Sequence, residues 1–296
     1  KFDSIKMKLL HIGLGKCGST FLQRDIFPKI EKETKIKFVS LKKIIKINNI
    51  KYHLLENKTL LEKDLPDNFI ISDEGLFSKG WEFSRIFKSF EYIKKNFSKD
   101  TTILIVIRNP YELLNSIYCQ AIHEMKIVRP KDFFYIEENN IIRKDGKFNL
   151  YNFDYNSLIS LYKSYFEKVV VVKNEDLKNF SYLKEIFNLN NNFLDHVKKN
   201  ASYQNRAISS IGIKSILFLN KFINLEKNQK FIRSFIKPTN NIFGNIRNRI
   251  FYQFLLRVFF QHKFDKLIPY KKYLINKNYI PIDIDKIIKD YNSMKF

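Results

Sequence analysis

LLHIGLGKCGSTFLQ, residues Leu9–Gln23, passes from an apolar run through three glycines into a helical pattern. Leu9–Gly13 reads as a short buried strand, Gly13–Gly18 as a tight turn, and Ser19–Ile30 as a helix that ends near Pro28. Glycines let the backbone turn sharply, so successive N–H groups point into one concavity at the positive end of the following helix. Such a concavity takes a phosphate. Lys16 adds a mobile positive charge, and Ser19 and Thr20 add hydroxyl donors. A nucleoside-triphosphate loop reads G-x-x-x-x-G-K-[ST]. Gly13 and Gly18 keep that glycine spacing, but Ser19 stands at the lysine position, and the lysine lies two residues before the second glycine.

Three further strand patterns follow. Asn68–Ser72 (NFIIS) leads into Asp73-Glu74-Gly75, Thr101–Ile107 (TTILIVI) into Arg108-Asn109-Pro110, and Lys168–Val172 (KVVVV) into Asn174-Glu175-Asp176-Leu177. TTILIVI has no apolar/polar alternation, which suits a strand covered on both faces of a parallel sheet. Strands alternating with helices imply right-handed crossovers, and such sheets bind ligands beyond the carboxyl ends of their strands. From Ile208 onward the pattern becomes basic, aromatic and helical: IKSILFLNKFINL, then IRNRIFYQFLLRVFF. The expected fold is therefore α/β: a central parallel sheet flanked by helices, with a phosphate-binding strand-loop-helix and a helical C-terminal annex. It is expected as a single domain over 1–296, with a nucleotide-binding core at 1–207 and the annex at 208–296.

The 296 residues are 45% hydrophobic and 28% charged, which supports a sizeable core and argues against a disordered chain. No apolar run approaches the ~18 residues of a membrane-spanning helix, and the opening KFDSIKMKLL has no signal-peptide pattern. Two cysteines, Cys17 and Cys119, make no disulfide framework, and neither has metal-ligand spacing with His, so a reducing, cytoplasmic setting is expected. The net charge of +23 draws anions, whether nucleotides, acidic glycans, nucleic acid or acidic lipid; a compositional leaning to Lys, Asn and Ile reads equally well. No recognised nucleic-acid module is present, so no nucleic-acid partner is expected. The aromatic stripe at Phe251, Phe254, Phe259 and Phe260 has the helical spacing of packing residues, with peripheral membrane contact as the other reading.

Arg108-Asn-Pro-Tyr-Glu-Leu-Leu-Asn-Ser116 is a second constellation. Pro110 suits a first helical turn, where its missing N–H costs nothing. Ser116 lies eight residues beyond Arg108, so a strand-end arginine and a helical hydroxyl can converge on one anion, and the guanidinium fork matches a phosphate. Arg108 also stands where an ATPase would carry a magnesium-binding Asp.

Taken together, the two constellations resemble those of the PAPS-dependent sulfotransferases, in a bacterial carbohydrate-modifying flavour. HIGLGKCGSTFLQ is similar to that family's 5′-phosphosulfate loop and IRNPYELLNSIY to its 3′-phosphate motif. DYNSLISLYKSYFEKVVVVKNEDL is similar to a family element ending in Glu-Asp-Leu. The resemblance covers about Leu9 to Leu177. Gly15 stands where the family usually has Pro, and Cys17 where it usually has Ser or Thr. The resemblance implies O-sulfation from PAPS, with PAP as product, no metal, and a hydroxyl acceptor on a saccharide or polysaccharide. It implies that Lys16 neutralises the bridging oxygen and that the amides of Cys17, Gly18, Ser19 and Thr20 hold the 5′-phosphate. Arg108 and Ser116 would then grip the 3′-phosphate; a third nucleotide contact is left open, with Arg206 in QNRAIS as one candidate.

Glu74 is the candidate general base and Asp73 its nearest competitor, while His11, on the first strand, is expected to be buried. Glu175-Asp176 reads as a capping or arginine-orienting pair rather than an acid–base pair. Two other functions remain open: a P-loop-type kinase or NTPase, and a basic, non-catalytic polyanion- or membrane-binding protein.

Overall fold

The computed structural model describes residues 7–39, 62, 65–73, 86–123, 128–135, 148–149, 155–187, 189, 195, 208–223, 269–280 and 282–296. The chain divides into two compact units. The first comprises Lys1–Pro110, Tyr151–Gln204 and Lys286–Phe296, and the second Tyr111–Leu150 and Asn205–Asp285.

The first unit is built on a five-stranded, all-parallel sheet. Its strands are β1 (Lys8–Gly13), β2 (Lys37–Val39), β3 (Phe69–Asp73), β4 (Thr102–Ile107) and, after two short strands of the second unit, β7 (Val169–Lys173). The spatial order is β2-β3-β1-β4-β7. All six residues of β4 are buried, which is why TILIVI is apolar without alternation: both of its faces are covered. Each long strand expected from the sequence is present, with limits displaced by a single residue at one or both ends in every case.

The chain steps from β1 to one side of the sheet for β2 and β3, then crosses to the other side for β4 and β7. β1 is thus the strand at which the order reverses, and the carboxyl end of such a strand is where open α/β sheets bind ligands.

Helices flank the sheet. α1 (Ser19–Phe21) continues through a π-helical turn, Leu22–Ile26, into α2 (Phe27–Glu33). The expected stop at Pro28 does not occur. The π-turn widens the helix just ahead of Pro28, which then occupies a first-turn position of α2, so its ring and missing N–H are accommodated. α3 (Ile86–Asn96) packs against α6 (Tyr155–Lys163), with Phe90 edge-on to Tyr162, and α6 in turn packs on β4 and β7. α7 (Ser181–Phe187) packs on β7. β2, a three-residue edge strand, has too little pattern to be read from the sequence.

The second unit holds most of α4 (Pro110–His123), the short α5 (Pro130–Phe133), the two-residue strands β5 (Phe134–Tyr135) and β6 (Phe148–Asn149), and α8 (Ser210–Ile223). Its core gathers Tyr118, Phe133, Phe134 and Tyr273, with Tyr118 stacked on Tyr273 at 5.7 Å. α8 bears out the helical reading of IKSILFLNKFINL. IRNRIFYQFLLRVFF, with Phe251, Phe254, Phe259 and Phe260, lies outside the described residues. α9 (Ile284–Ser293) is the last helix. Among the described residues no helix is long and apolar enough to cross a membrane.

At the amino end of β1, Lys8 Nζ meets the Glu62 carboxylate at 2.6 Å, Asp100 at 3.0 Å and Ser98 Oγ at 3.1 Å. Hydrogen bonding to Glu62 raises the Lys8 pKa. Burial pushes Glu62 upward, but bonds from Lys8 and Ser98 outweigh it and leave the carboxyl below its usual range; Ser98, then Lys8, lower Asp100. Depressed carboxylates contribute stability above their unfolded pKa near ~4 and lose it as pH falls, and the raised ammonium loses its share only above ~10.5. Lys8→Met is therefore expected to cost about 1 kcal/mol near pH ~7 and distinctly less near pH ~3, a difference that paired thermal unfolding curves would read.

Candidate functional site

The Gly13–Ser19 loop leaves the carboxyl end of β1. Cys17 N–H donates to Leu14 O at 3.1 Å, closing a turn that lifts Lys16 to its corner. Lys16 adopts φ 71° and Gly18 φ 86°, both left-handed. For Gly18 this conformation is free; for Lys16 it stores roughly 1–2 kcal/mol. Arg108 holds that conformation from the neighbouring strand, its Nη1 donating to Lys16 O at 2.9 Å. The two constellations read separately from the sequence are thus joined by a hydrogen bond.

Neither Gly13 nor Gly18 leaves room for a side chain. A Cβ on Gly18 would lie 2.4 Å from Leu177 Cδ1 and 3.1 Å from Asn174 Nδ2, because the 3₁₀ turn Asn174–Lys178 after β7 presses directly on the loop. A Cβ on Gly13 would lie 2.3 Å from Ser19 Oγ. Gly18→Ala combines a left-handed φ with a clash against fully buried Leu177, and is expected to destabilise the chain by roughly 2–4 kcal/mol, visible as a lowered Tm.

The loop's donors divide by access. The Cys17 amide, one of the four expected phosphate donors, donates to Leu14 O in this structure. Helix geometry leaves the N–H groups of Ser19 and Thr20 without intrahelical partners, and these, with Gly18, form the cradle. The Ser19 side chain is buried over Gly13, whereas Thr20 is exposed, so Thr20 presents the reachable hydroxyl of the pair. Ser19 Oγ and Asn174 Nδ2 are both buried beside the loop without a hydrogen-bond partner among the described residues. A glycine-bounded turn with amide donors, flanked by Lys16 and Arg108, fits a phosphate-bearing nucleotide.

Beneath the loop, His11 is fully buried, as expected. Its Nδ1 shares a hydrogen bond of 2.6 Å with Ser72 Oγ, and Gln23 Nε2 donates to both Ser72 O and Oγ at 3.1 Å. Burial pushes the His11 pKa down to about 3, so the ring is neutral across the physiological range and moves no proton there. This network clamps the exit of β3, where Asp73 pairs in register with Ile12. Glu74, the candidate base, follows Asp73 in sequence and lies outside the described residues, as does Arg206. Ser116 stands half-buried on α4, in the second unit.

Two residues of this site escaped the sequence reading. Tyr155, at the start of α6, donates its hydroxyl to Arg108 O at 2.9 Å. Tyr291, on α9, is edge-on to Tyr155 at 6.1 Å, donates to Glu175 Oε1 at 2.9 Å, and lies under the Lys173 ammonium at 4.9 Å. Burial raises both phenols far above their ordinary pKa, aided by Cys17 for Tyr155 and by Glu175 for Tyr291, so both act as neutral donors. Glu175 therefore anchors Tyr291 rather than orienting an arginine. A readable signal for Tyr291 existed: Ile284, Ile287, Ile288 and Tyr291 form an i, i+3, i+4, i+7 apolar face in an otherwise charged helix. Among the described residues, no group of three or more His, Cys, Asp or Glu side chains is placed to hold a metal ion.

No protein-family model matches the chain, and no curated protein sequence does. Among solved structures, a sulfotransferase from Alicyclobacillus acidocaldarius is similar at 14% identity, covering 76% of this chain and 96% of that one, with a TM-score of 0.42.

Proposed function

We propose that this chain is a PAPS-dependent O-sulfotransferase whose acceptor hydroxyl is carried by a saccharide. The observation that carries the reading is the bonded pair at the carboxyl ends of two adjacent central strands: Lys16 on a glycine-cradled loop, and Arg108 holding it. A lysine and an arginine brought to one loop by that bond suit a ligand with more than one anionic group.

The bound donor supplies an activated sulfuryl group on a phosphosulfate anhydride. Sulfuryl transfer physically resembles phosphoryl transfer: a loose, in-line transition state in which charge builds on the leaving oxygen, so the protein acts by positioning and electrostatics. The amides of Gly18, Ser19 and Thr20 hold the 5′-phosphate, and Lys16 stabilises the charge that develops on the bridging oxygen. Arg108 and Ser116 are assigned to the 3′-phosphate, the first for its guanidinium and the second for its hydroxyl. Glu74 takes the acceptor proton, with Asp73 as the alternative base. The saccharide acceptor follows from the resemblance of the HIG…LQ motif to carbohydrate-modifying branches and from the +23 charge, which attracts acidic polysaccharides.

The kinase reading is disfavoured by Ser19 at the lysine position and by Arg108 at the exit of β4, where a metal-binding carboxylate would be needed. The test is incubation with PAPS and a panel of polysaccharides, peptides and small alcohols, followed by mass spectrometry. A sulfate gained by a saccharide is the expected result. Hydrolysis of Mg·ATP, with no acceptor sulfated, would move the chain to the kinase class, and a sulfated peptide or small alcohol alone would overturn the saccharide assignment.

A further inference from the structure

We infer that Tyr155 and Tyr291 are positioning residues of the donor loop, so that the last helix of the chain is part of the nucleotide site although it touches no nucleotide. This rests on the donor reading above and extends it to residues outside both phosphate motifs.

A continuous series of contacts runs through the first unit. Lys16 occupies a left-handed conformation that a lysine does not hold without restraint, and its carbonyl is restrained by Arg108 Nη1. Arg108 follows the last residue of β4, where the sheet ladder ends, so its own backbone needs a partner beyond the strand. The Tyr155 hydroxyl supplies it, at 2.9 Å to Arg108 O. Tyr155 is buried, so this bond is shielded from competing water. Tyr291, 1% exposed, closes the far side of Tyr155. It is fixed at both ends of its ring system, the hydroxyl by Glu175 and the face by Lys173. Glu175 belongs to the same 3₁₀ turn that presses Leu177 against Gly18. Tyr291 therefore acts on the loop mainly through its ring, which backs Tyr155 and so reaches Arg108 and Lys16, while its bond to Glu175 is a lesser tie to the turn that touches Gly18. Cys17, between those two loop positions, is fully buried.

A positioning role makes a prediction that packing alone does not. Removing the Tyr155 hydroxyl loosens Arg108 and, through it, Lys16, so donor affinity falls by more than any loss of stability explains while the affinity for acceptor stays the same. Calorimetric titration of the full chain with PAP tests it, using Tyr155→Phe, Tyr291→Ala, Tyr291→Phe and, as a control in the buried face of α3, Ile93→Val. Tyr155→Phe and Tyr291→Ala are expected to weaken PAP binding roughly tenfold each, from the loss of a buried hydrogen bond and of its backing. Tyr291→Phe keeps the ring against Tyr155 and is expected to stay within about threefold of wild type. Ile93→Val lowers Tm and leaves PAP affinity unchanged.

PAP affinities of folded Tyr155→Phe and Tyr291→Ala within twofold of wild type would overturn the inference, as would a loss for Ile93→Val as large as theirs. If Tyr155→Phe does not fold, Tyr291→Ala against Tyr291→Phe decides: equal affinities overturn the inference, and a selective loss in the alanine variant upholds it. A wild-type chain that does not bind PAP is a separate outcome, overturning the donor reading on which the inference stands.

Discussion

Lys16→Ala is expected to leave a folded chain whose sulfuryl transfer is slower by roughly 10²–10³-fold in kcat, with a smaller change in the donor KM. The backbone at Lys16 is left-handed, at φ 71°, and alanine in that conformation carries the same kind of strain as lysine, so the substitution leaves the loop's conformational balance largely alone. Its carbonyl remains for Arg108. What is lost is the ammonium of a half-buried lysine, the group proposed to meet the charge on the leaving oxygen. A group that acts on charge developed in the transition state is read mainly in kcat, whereas one that only attracts anions is read in binding. Unchanged turnover with weakened donor binding would assign Lys16 to attraction alone. Lys16→Gly is a useful companion: it removes the charge and also relieves the strained φ, so a Tm above that of Lys16→Ala would report how much strain the loop stores.

Arg108→Ala is expected to weaken PAP binding by about 10²–10³-fold, from the loss of more than one charge-assisted hydrogen bond at roughly 1.5–3 kcal/mol each. Two contributions are separable. The bond to Lys16 O supports the loop whatever nucleotide is present, and so is lost equally for PAP and 5′-AMP. The fork toward a 3′-phosphate matters only for PAP. The account therefore predicts about a tenfold loss for AMP and a far larger one for PAP, so that the preference between them collapses. Arg108→Lys is not expected to restore it, because a single ammonium cannot serve the Lys16 carbonyl and a phosphate in the fixed planar geometry of the guanidinium. Parallel titrations of the two nucleotides read this directly. Equal losses for both would confine Arg108 to its loop-holding bond.

The sheet was legible because buried parallel strands leave runs such as ILIVI and VVVV, whose residue types have few alternatives. Their limits were less so: charged residues flank both ends of VVVV, and only the ladder shows that β7 takes in Lys173 and leaves out Lys168, as it also takes Lys8 into β1. The helix through Pro28 was misjudged because a proline reads as a stop unless a π-turn precedes it, and that turn has no local signature. In the site, the residues on the loop and after β4 could be picked out singly, since glycine spacing and a strand-end arginine are local signals. Their joining was not legible. The Arg108–Lys16 bond exists only because β1 and β4 are neighbours, a fact of strand order 92 residues apart in sequence. Tyr155 and Tyr291 were hidden for the same reason: each looks like an ordinary buried aromatic until the fold sets it beside Arg108 or Glu175. The commitment of the Cys17 amide to Leu14 is likewise a matter of turn geometry that no residue type announces.

The measurement that bears most directly on the central claim is calorimetric titration of the wild-type chain with PAP, beside 5′-AMP and Mg·ATP. The account predicts that PAP binds without added metal and at least tenfold more tightly than AMP, since a second phosphate gains at least one charge-assisted contact from Arg108. Equal affinity for PAP and AMP, or a preference for Mg·ATP, would contradict it.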